Sequence, residues 1–381
     1  MKKLLAVMVL LLAYSNIAVA ESLRDTVGVA MDYYESGNYE DALPLFEKLL
    51  AEQSLFKGDK AGKELRYKFT YYAGYCANEQ GDIEKAVKYV AGALSLAKSL
   101  KFDKQLPPIY TFMGELERKR GKYKDAIKYY NEALDGVDST SFDAAILFYF
   151  IAESYRENGN YKNALSICER ATLVSKEYGY KEVEIAVLTT VGKVQYGMNK
   201  HSEALRTLTS ALNLAVEGQK TLDIAKIHLA FAHIYQAQGK EDLARHYYED
   251  ALRFYVLNSD TVEVPSVVAS LTAMPPCSKL QATRAKEVYR TNAGNYKESG
   301  SDVVARTLQY LVAYYEAIAG DSDTAIRDHK RVFEDAIAAK DTKNISIIAT
   351  GLSNMLTNTS FSDDERARYA DVLDDFKKRL K

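Results

Sequence analysis

The residues of this 381-residue chain that could do chemistry are thinly spread. His228 and His233, two of five histidines, are five positions apart and fall on different faces of a helix. Neither a His-Glu-x-x-His pair nor paired Cys-x-x-Cys motifs occur, so no metal finds its usual ligand spacing. The segment Gly192-Lys193-Val194-Gln195-Tyr196-Gly197-Met198-Asn199 has the glycine spacing of a phosphate loop. It lacks the Lys-Ser/Thr ending that grips the phosphates and the magnesium ion. No Gly-x-Ser-x-Gly elbow presents a nucleophile. The sequence thus offers no catalytic, cofactor or metal residues, and the chemistry left is recognition. Arg118 and Arg156 stand at equivalent places in successive segments, and two nearby guanidiniums can hold a carboxylate bidentately. Tyrosine, with 29 copies against no tryptophan, supplies the other residue type common at binding hot spots. Glu115 and Glu153, three residues before each arginine, could instead close i, i+3 ion pairs of ~0.2–0.5 kcal/mol.

The elements that must position these residues are set by small side chains. Ala42, Ala86, Ala126, Ala164, Ala204, Ala244, Ala285, Ala325 and Ala367 recur at steps of 38 to 44 residues, the mark of a repeated unit. Twelve residues before most of them stands a second small residue, Ala30, Gly74, Gly114, Ala152, Gly192, Ala232, Ala273 and Ala313, and Met355 takes that place in the ninth unit. Five residues before most of them stands a glycine, as in Gly37, Gly81, Gly121, Gly159, Gly239 and Gly320. Helix, tight turn, helix is the unit this predicts, with small residues where two axes approach within ~8–10 Å. Pro107-Pro108 suits a helix start in the third unit, and Tyr123, Ala126, Ile127, Tyr130 and Ala133 give its second helix one apolar stripe.

Tyr110, Met113, Gly114, Gly121, Tyr123, Ala126, Tyr130 and Ala133 resemble the tetratricopeptide repeat, and the resemblance extends over essentially all of the chain after residue 20. Glu117 departs from it where the family prefers an aromatic, which Tyr33, Tyr155 and Tyr235 supply elsewhere. A period near 40 in place of ~34 residues implies longer helices, similar to the form in kinesin light chains and bacterial peptide-sensing regulators. The resemblance implies an all-α, right-handed solenoid of about nine helix pairs whose first helices line a concave groove. The groove stripe would run at i, i+4, i+7. It would take Tyr71, Tyr75 and Asn78; Thr111, Glu115 and Arg118; Tyr149, Glu153 and Arg156; Thr189, Lys193 and Tyr196; Leu229, His233 and Gln236; with Val27, Met31 and Tyr34 before them and Tyr310, Tyr314 and Ala317 after them.

The expected organisation is a signal peptide over 1–20, repeats one to six over 21–258, a degenerate seventh repeat over 259–301, and terminal repeats with a capping helix over 302–381. The signal rests on Lys2, Lys3, the apolar run Leu4 to Ala13 and the cleavage motif Ala18-Val19-Ala20 before Glu21. In the seventh repeat Pro275-Pro276-Cys277-Ser278 replaces the turn glycine, and Asn292 to Asp302 is expected to be a loop; Ala273 and Ala285 keep the spacing of a helix pair. A break into arrays 21–258 and 302–381 is the alternative. A net charge of −2 gives no basic footprint for nucleic acid, and no segment after the signal is long and apolar enough to span a bilayer. Cys76 and Cys168 read as small buried hydrophobes, too many repeats apart for a disulfide. The expected function is an exported, periplasmic or secreted, non-enzymatic adaptor that binds a peptide or partner protein in its groove without a cofactor. The alternative is a structural subunit of an envelope assembly that uses the convex face or the ends.

Overall fold

The structure is a computed structural model and describes residues 17–56, 59–357 and 361–380. Lys2, Lys3 and the apolar run Leu4 to Ala13 lie outside the described residues. Among the described residues the chain forms eighteen α-helices and no strand, which pair as an α-solenoid. They fall into two compact units that divide after Met198.

The first unit holds α1 (Ile17–Glu35), α2 (Tyr39–Ala51), α3 (Lys60–Glu79), α4 (Ile83–Ser99), α5 (Leu106–Lys119), α6 (Tyr123–Leu134), α7 (Phe142–Glu157), α8 (Tyr161–Glu177) and α9 (Lys181–Gly197). Each helix packs on the next, and α7 also touches α9. Small residues allow this: a Cβ on Gly114 would lie 2.5 Å from the Tyr130 ring, and one on Gly74 would lie 2.7 Å from Val90. Both contacts join residues sixteen apart, so the same crossing is built twice with a large side chain from the second helix filling the gap left by glycine. Ala42, Ala86, Ala126 and Ala164 are wholly buried, as the spacing predicts. The turn after α5 closes because Gly121 takes φ 72°, which lets its N–H reach the carbonyl of Arg118 and that of Lys122 the carbonyl of Glu117. Asn38, Asp82 and Asn160 cap α2, α4 and α8 by accepting backbone N–H groups three residues on. Prolines occupy the first turn of α5, as their missing N–H predicts.

The second unit holds α10 (His201–Glu217), α11 (Thr221–Ala237), α12 (Glu241–Leu257), α13 (Glu263–Ala273), α14 (Lys279–Glu298), α15 (Asp302–Ala319), α16 (Ser322–Ala338), α17 (Thr342–Leu356) and α18 (Asp363–Arg379). α15 is buried on nearly every side and forms its centre. Three expectations fail here. α13 and α14 are not a repeat pair: α14 packs on α15, while α13 lies against α12, α15 and α17. Ala273 is accordingly exposed and Ala285 half-buried, and Ala282 takes the core position. The expected loop from Asn292 is helical to Glu298, because Tyr289 and Ala293 are buried and the Tyr289 ring stacks on Tyr315 at 5.9 Å. Burial outweighs the poor helix propensity of Asn292, Gly294 and Asn295. In α18, Ala367 is exposed, and the inward stripe is Tyr369, Val372, Leu373 and Phe376, with Phe376 stacked on Phe333.

Candidate binding site

Within the first unit, the first helices of the second to fifth pairs (α3, α5, α7 and α9) present one connected polar and aromatic face. Tyr71 and Tyr75 on α3 each lie 6.0 Å from the ring of Phe112 on α5. Lys119 on α5 donates to Asn78 Oδ1 on α3 at 2.8 Å. Arg118 on α5 reaches α7, where its Nη1 donates to Glu157 Oε1 at 3.0 Å and Oε2 at 3.3 Å. Arg156 grips Glu153 through Nε at 3.0 Å and Nη2 at 2.8 Å, and Nη2 also reaches Glu157 at 3.1 Å. Thr190 on α9 completes the chain with a 2.7 Å bond to Glu153 Oε1. Lys193, Tyr149 and Tyr196 are half-buried on the same helices.

Glu153 is 7% exposed, so the expected groove residue is a buried structural acid with its lone pairs committed. Burial pushes its pKa up, but the Arg156 bonds, the Lys193 charge and the Thr190 hydroxyl more than reverse this and hold it at about 2. Glu115 differs. Burial raises its pKa, opposed only in part by Lys119 and Arg118. Of the two i, i+3 pairs the spacing allows, Glu153 and Arg156 form one, while Arg118 turns to Glu157 in the next repeat. The Nε of Arg118 is buried without an acceptor among the described residues. The acid on which both arginines converge, Glu157, falls outside an i, i+4, i+7 stripe. Its signal in the sequence was its place beside Arg156 and the reach of a long guanidinium to the neighbouring unit.

Glu117, at the family's aromatic position, is buried and paired with Arg120 Nη1 at 2.9 Å, and Arg120 Nε and Nη2 bridge on to Glu84 at 2.8 and 3.0 Å. An ion-pair bridge between α5 and α4 thus replaces ring packing. Parts of the predicted stripe are core, not surface: Val27 and Met31 in the first helix, Thr189 in the middle, and Tyr310, Tyr314 and Ala317 at the far end are buried, while Tyr34 is half-buried. Small first-helix residues let the neighbouring axes close over them. His233 and Gln236 belong to the second unit and are exposed, with Gln236 accepting from the Tyr248 hydroxyl at 2.7 Å. Cys76 and Cys168 are buried thiols, as expected, and Cys277 is partly exposed. Among the described residues no cluster of three His, Cys, Asp or Glu could hold a metal ion, and no helix is long and apolar enough to cross a membrane.

Stacked helix pairs with small residues at the crossings of the regular repeats and a polar face on successive first helices define a helical-repeat scaffold. Tetratricopeptide repeat models match residues 30–99, 67–139, 143–217 and 225–255, more than half the chain, and the protein belongs to the tetratricopeptide repeat family. It is 25% identical over 264 residues to the Arabidopsis thaliana "Protein CTR9 homolog", covering 62% of this chain and 23% of that protein. It is 19% identical over 308 residues to the Arabidopsis thaliana "Protein KINESIN LIGHT CHAIN-RELATED 2", covering 75% of this chain and 46% of that protein. The chain spans less than half the length of these curated relatives. Among solved structures, a Rap protein complexed with Competence and Sporulation Factor matches with 16% identity over 94% of this chain and 98% of that chain, at a TM-score of 0.47. The apo form of RapI matches with 13% identity over 70% of this chain and 100% of that chain, at a TM-score of 0.48.

Proposed function

We propose that the protein is a non-enzymatic scaffold whose face on α3, α5, α7 and α9 binds an acidic peptide segment of a partner. The observation that carries this reading is the convergence of Arg118 and Arg156 on Glu157. Glu157 marks where a carboxylate fits between two guanidiniums, and a ligand carboxylate would take its place with the same charge-assisted bonds. Tyr71, Tyr75, Tyr149 and Tyr196 lie on the same four helices as half-buried rings that add contact area at small entropic cost. A stacked repeat scaffold is already ordered, so binding spends little on folding. We further propose that the chain is exported and cleaved after Ala20, the reading that Lys2, Lys3, the apolar run and Ala18-Val19-Ala20 support. N-terminal sequencing of protein from an envelope fraction is expected to begin at Glu21, and a full-length cytosolic chain would overturn this.

The test of the binding face uses acidic peptides selected from a displayed random library on the immobilised protein. Arg118→Ala with Arg156→Ala is expected to weaken them more than tenfold, about 1.4 kcal/mol or more. Glu157→Gln, which removes the internal competitor, is expected to strengthen them. Peptides that bind all three proteins equally, with the helical circular dichroism unchanged, would overturn the reading.

A further inference from the structure

The swing of α14 onto α15 opens a cleft between α12 and α14, inside the second unit, with a volume of about 760 Å³. Its walls are mainly apolar. Leu257 on α12 and Val288 on α14 are 63% and 59% exposed, while Leu252 and Leu308 are buried beneath them. Volume and lining fall within the range typical of small-molecule sites.

Arg245, among the residues that line this cleft, is only 6% exposed. Its Nη2 donates to the carbonyl of Pro275, but its Nη1 is buried with no hydrogen-bond acceptor among the described residues. Glu249 feels its charge, and the Tyr315 hydroxyl lies beside it, but no carboxylate among the described residues comes within ion-pair distance of it. Glu249 accepts from the Tyr315 hydroxyl at 3.2 Å, and Asp250 holds Arg253 at 2.9 Å with His228 and His246 at 3.4 and 3.5 Å. A buried guanidinium without a partner anion is costly to the fold. Structural arginines of the first unit, such as Arg120 and Arg156, each have a carboxylate within 3.0 Å. Arg245 has none within ion-pair distance.

We propose that this cleft binds an amphiphilic carboxylate, with the anionic head on Arg245 and the apolar body against Leu257, Val288 and Phe254. The site is separate from the face on the first unit and independent of what that face binds. Both hydrophobic walls stand open on the helices that flank the cation, which is the arrangement a fatty or aromatic acid requires and a simple inorganic anion does not.

The test uses the full chain and the fluorescent apolar anion 8-anilinonaphthalene-1-sulfonate as probe. Saturable binding is expected, displaced by decanoate at a concentration at least tenfold below that of decanol. Arg245→Met and Val288→Glu are each expected to raise the probe's dissociation constant at least tenfold. Val288 is exposed, so its variant keeps the fold even where loss of Arg245 disturbs it. Leu173→Glu, at a residue 67% exposed on α8 in the first unit, is expected to change nothing. Absence of saturable binding, equal displacement by decanol, or loss of binding in Leu173→Glu but not in Val288→Glu would overturn the proposal.

Discussion

The third and seventh repeats carry the same spacing of small residues, Gly114 with Ala126 and Ala273 with Ala285, and fold differently. In the third, both positions are buried at one helix crossing, and α5 and α6 close through Gly121 at φ 72°. In the seventh, Met274 is extended, Pro275 and Pro276 follow, and the second helix restarts at a capping box between Ser278 and Gln281. A proline pair cannot form the left-handed corner that folds the chain straight back. α14 is therefore free to take the better apolar partner, α15. Small-residue spacing selects a crossing only where the turn lets the two helices meet.

The electrostatics of the two regions differ in the same way. Glu153 and Arg156 close on each other, whereas Arg245, beside an open cleft, has no carboxylate among the described residues within ion-pair distance. The largest expected effect follows: Glu153→Ala should cost about 2–4 kcal/mol, because it strips a mostly buried Arg156 of its bidentate partner and leaves only Glu157. Chemical denaturation measures this, and a loss below ~0.5 kcal/mol would show the pair to be a mere surface contact.

Acid should separate the units. The folded-state pKa of Glu153 is depressed from 4.5 to about 2, so its contribution is fully present above about pH 4.5 and is lost as pH falls through 2. His329 in α16 is fully buried, which pushes its pKa down from 6.5 to about 4, with its Nδ1 on the carbonyl of Ala325. Folding favours its neutral form, so its contribution is present above pH 6.5 and lost as pH falls toward 4. Hydrogen exchange between pH 7 and 3 is expected to loosen α15–α16 before α7–α9. His329→Phe should remove the earlier step; if it leaves that step in place, another group drives it.

A smaller effect sharpens the comparison of the two corners. Ala126→Leu overpacks a closed crossing and should cost ~1–3 kcal/mol. Ala273→Leu, at the same register position but exposed, should cost less than ~0.5 kcal/mol. Equal denaturation midpoints for the two variants would contradict the account of the seventh repeat.

Helix content and the period and turns of the regular repeats were legible in the sequence because each rests on local rules: a small residue at a crossing, a glycine at a left-handed corner, a capping side chain. What was not legible is long-range. Nothing local tells α14 to prefer α15, and the exposure of Ala367 follows from the stripe that Tyr369 and Phe376 impose against α16 and α17. On the proposed binding face the spacing placed Arg118 and Arg156 on successive first helices. It could not reveal that both share Glu157, since that depends on the reach of a side chain across a repeat boundary.

In the proposed function it is the face on the first helices of the first unit, and not their partners, that recognises an acidic segment. Backbone hydrogen exchange, measured with and without a selected acidic peptide, tests it most directly. Slowed exchange is expected in α5, α7 and α9 around Arg118, Arg156 and Tyr196, with α6 and α8 unchanged. Slowing confined to α6 and α8, or to α12 and α14, would contradict it.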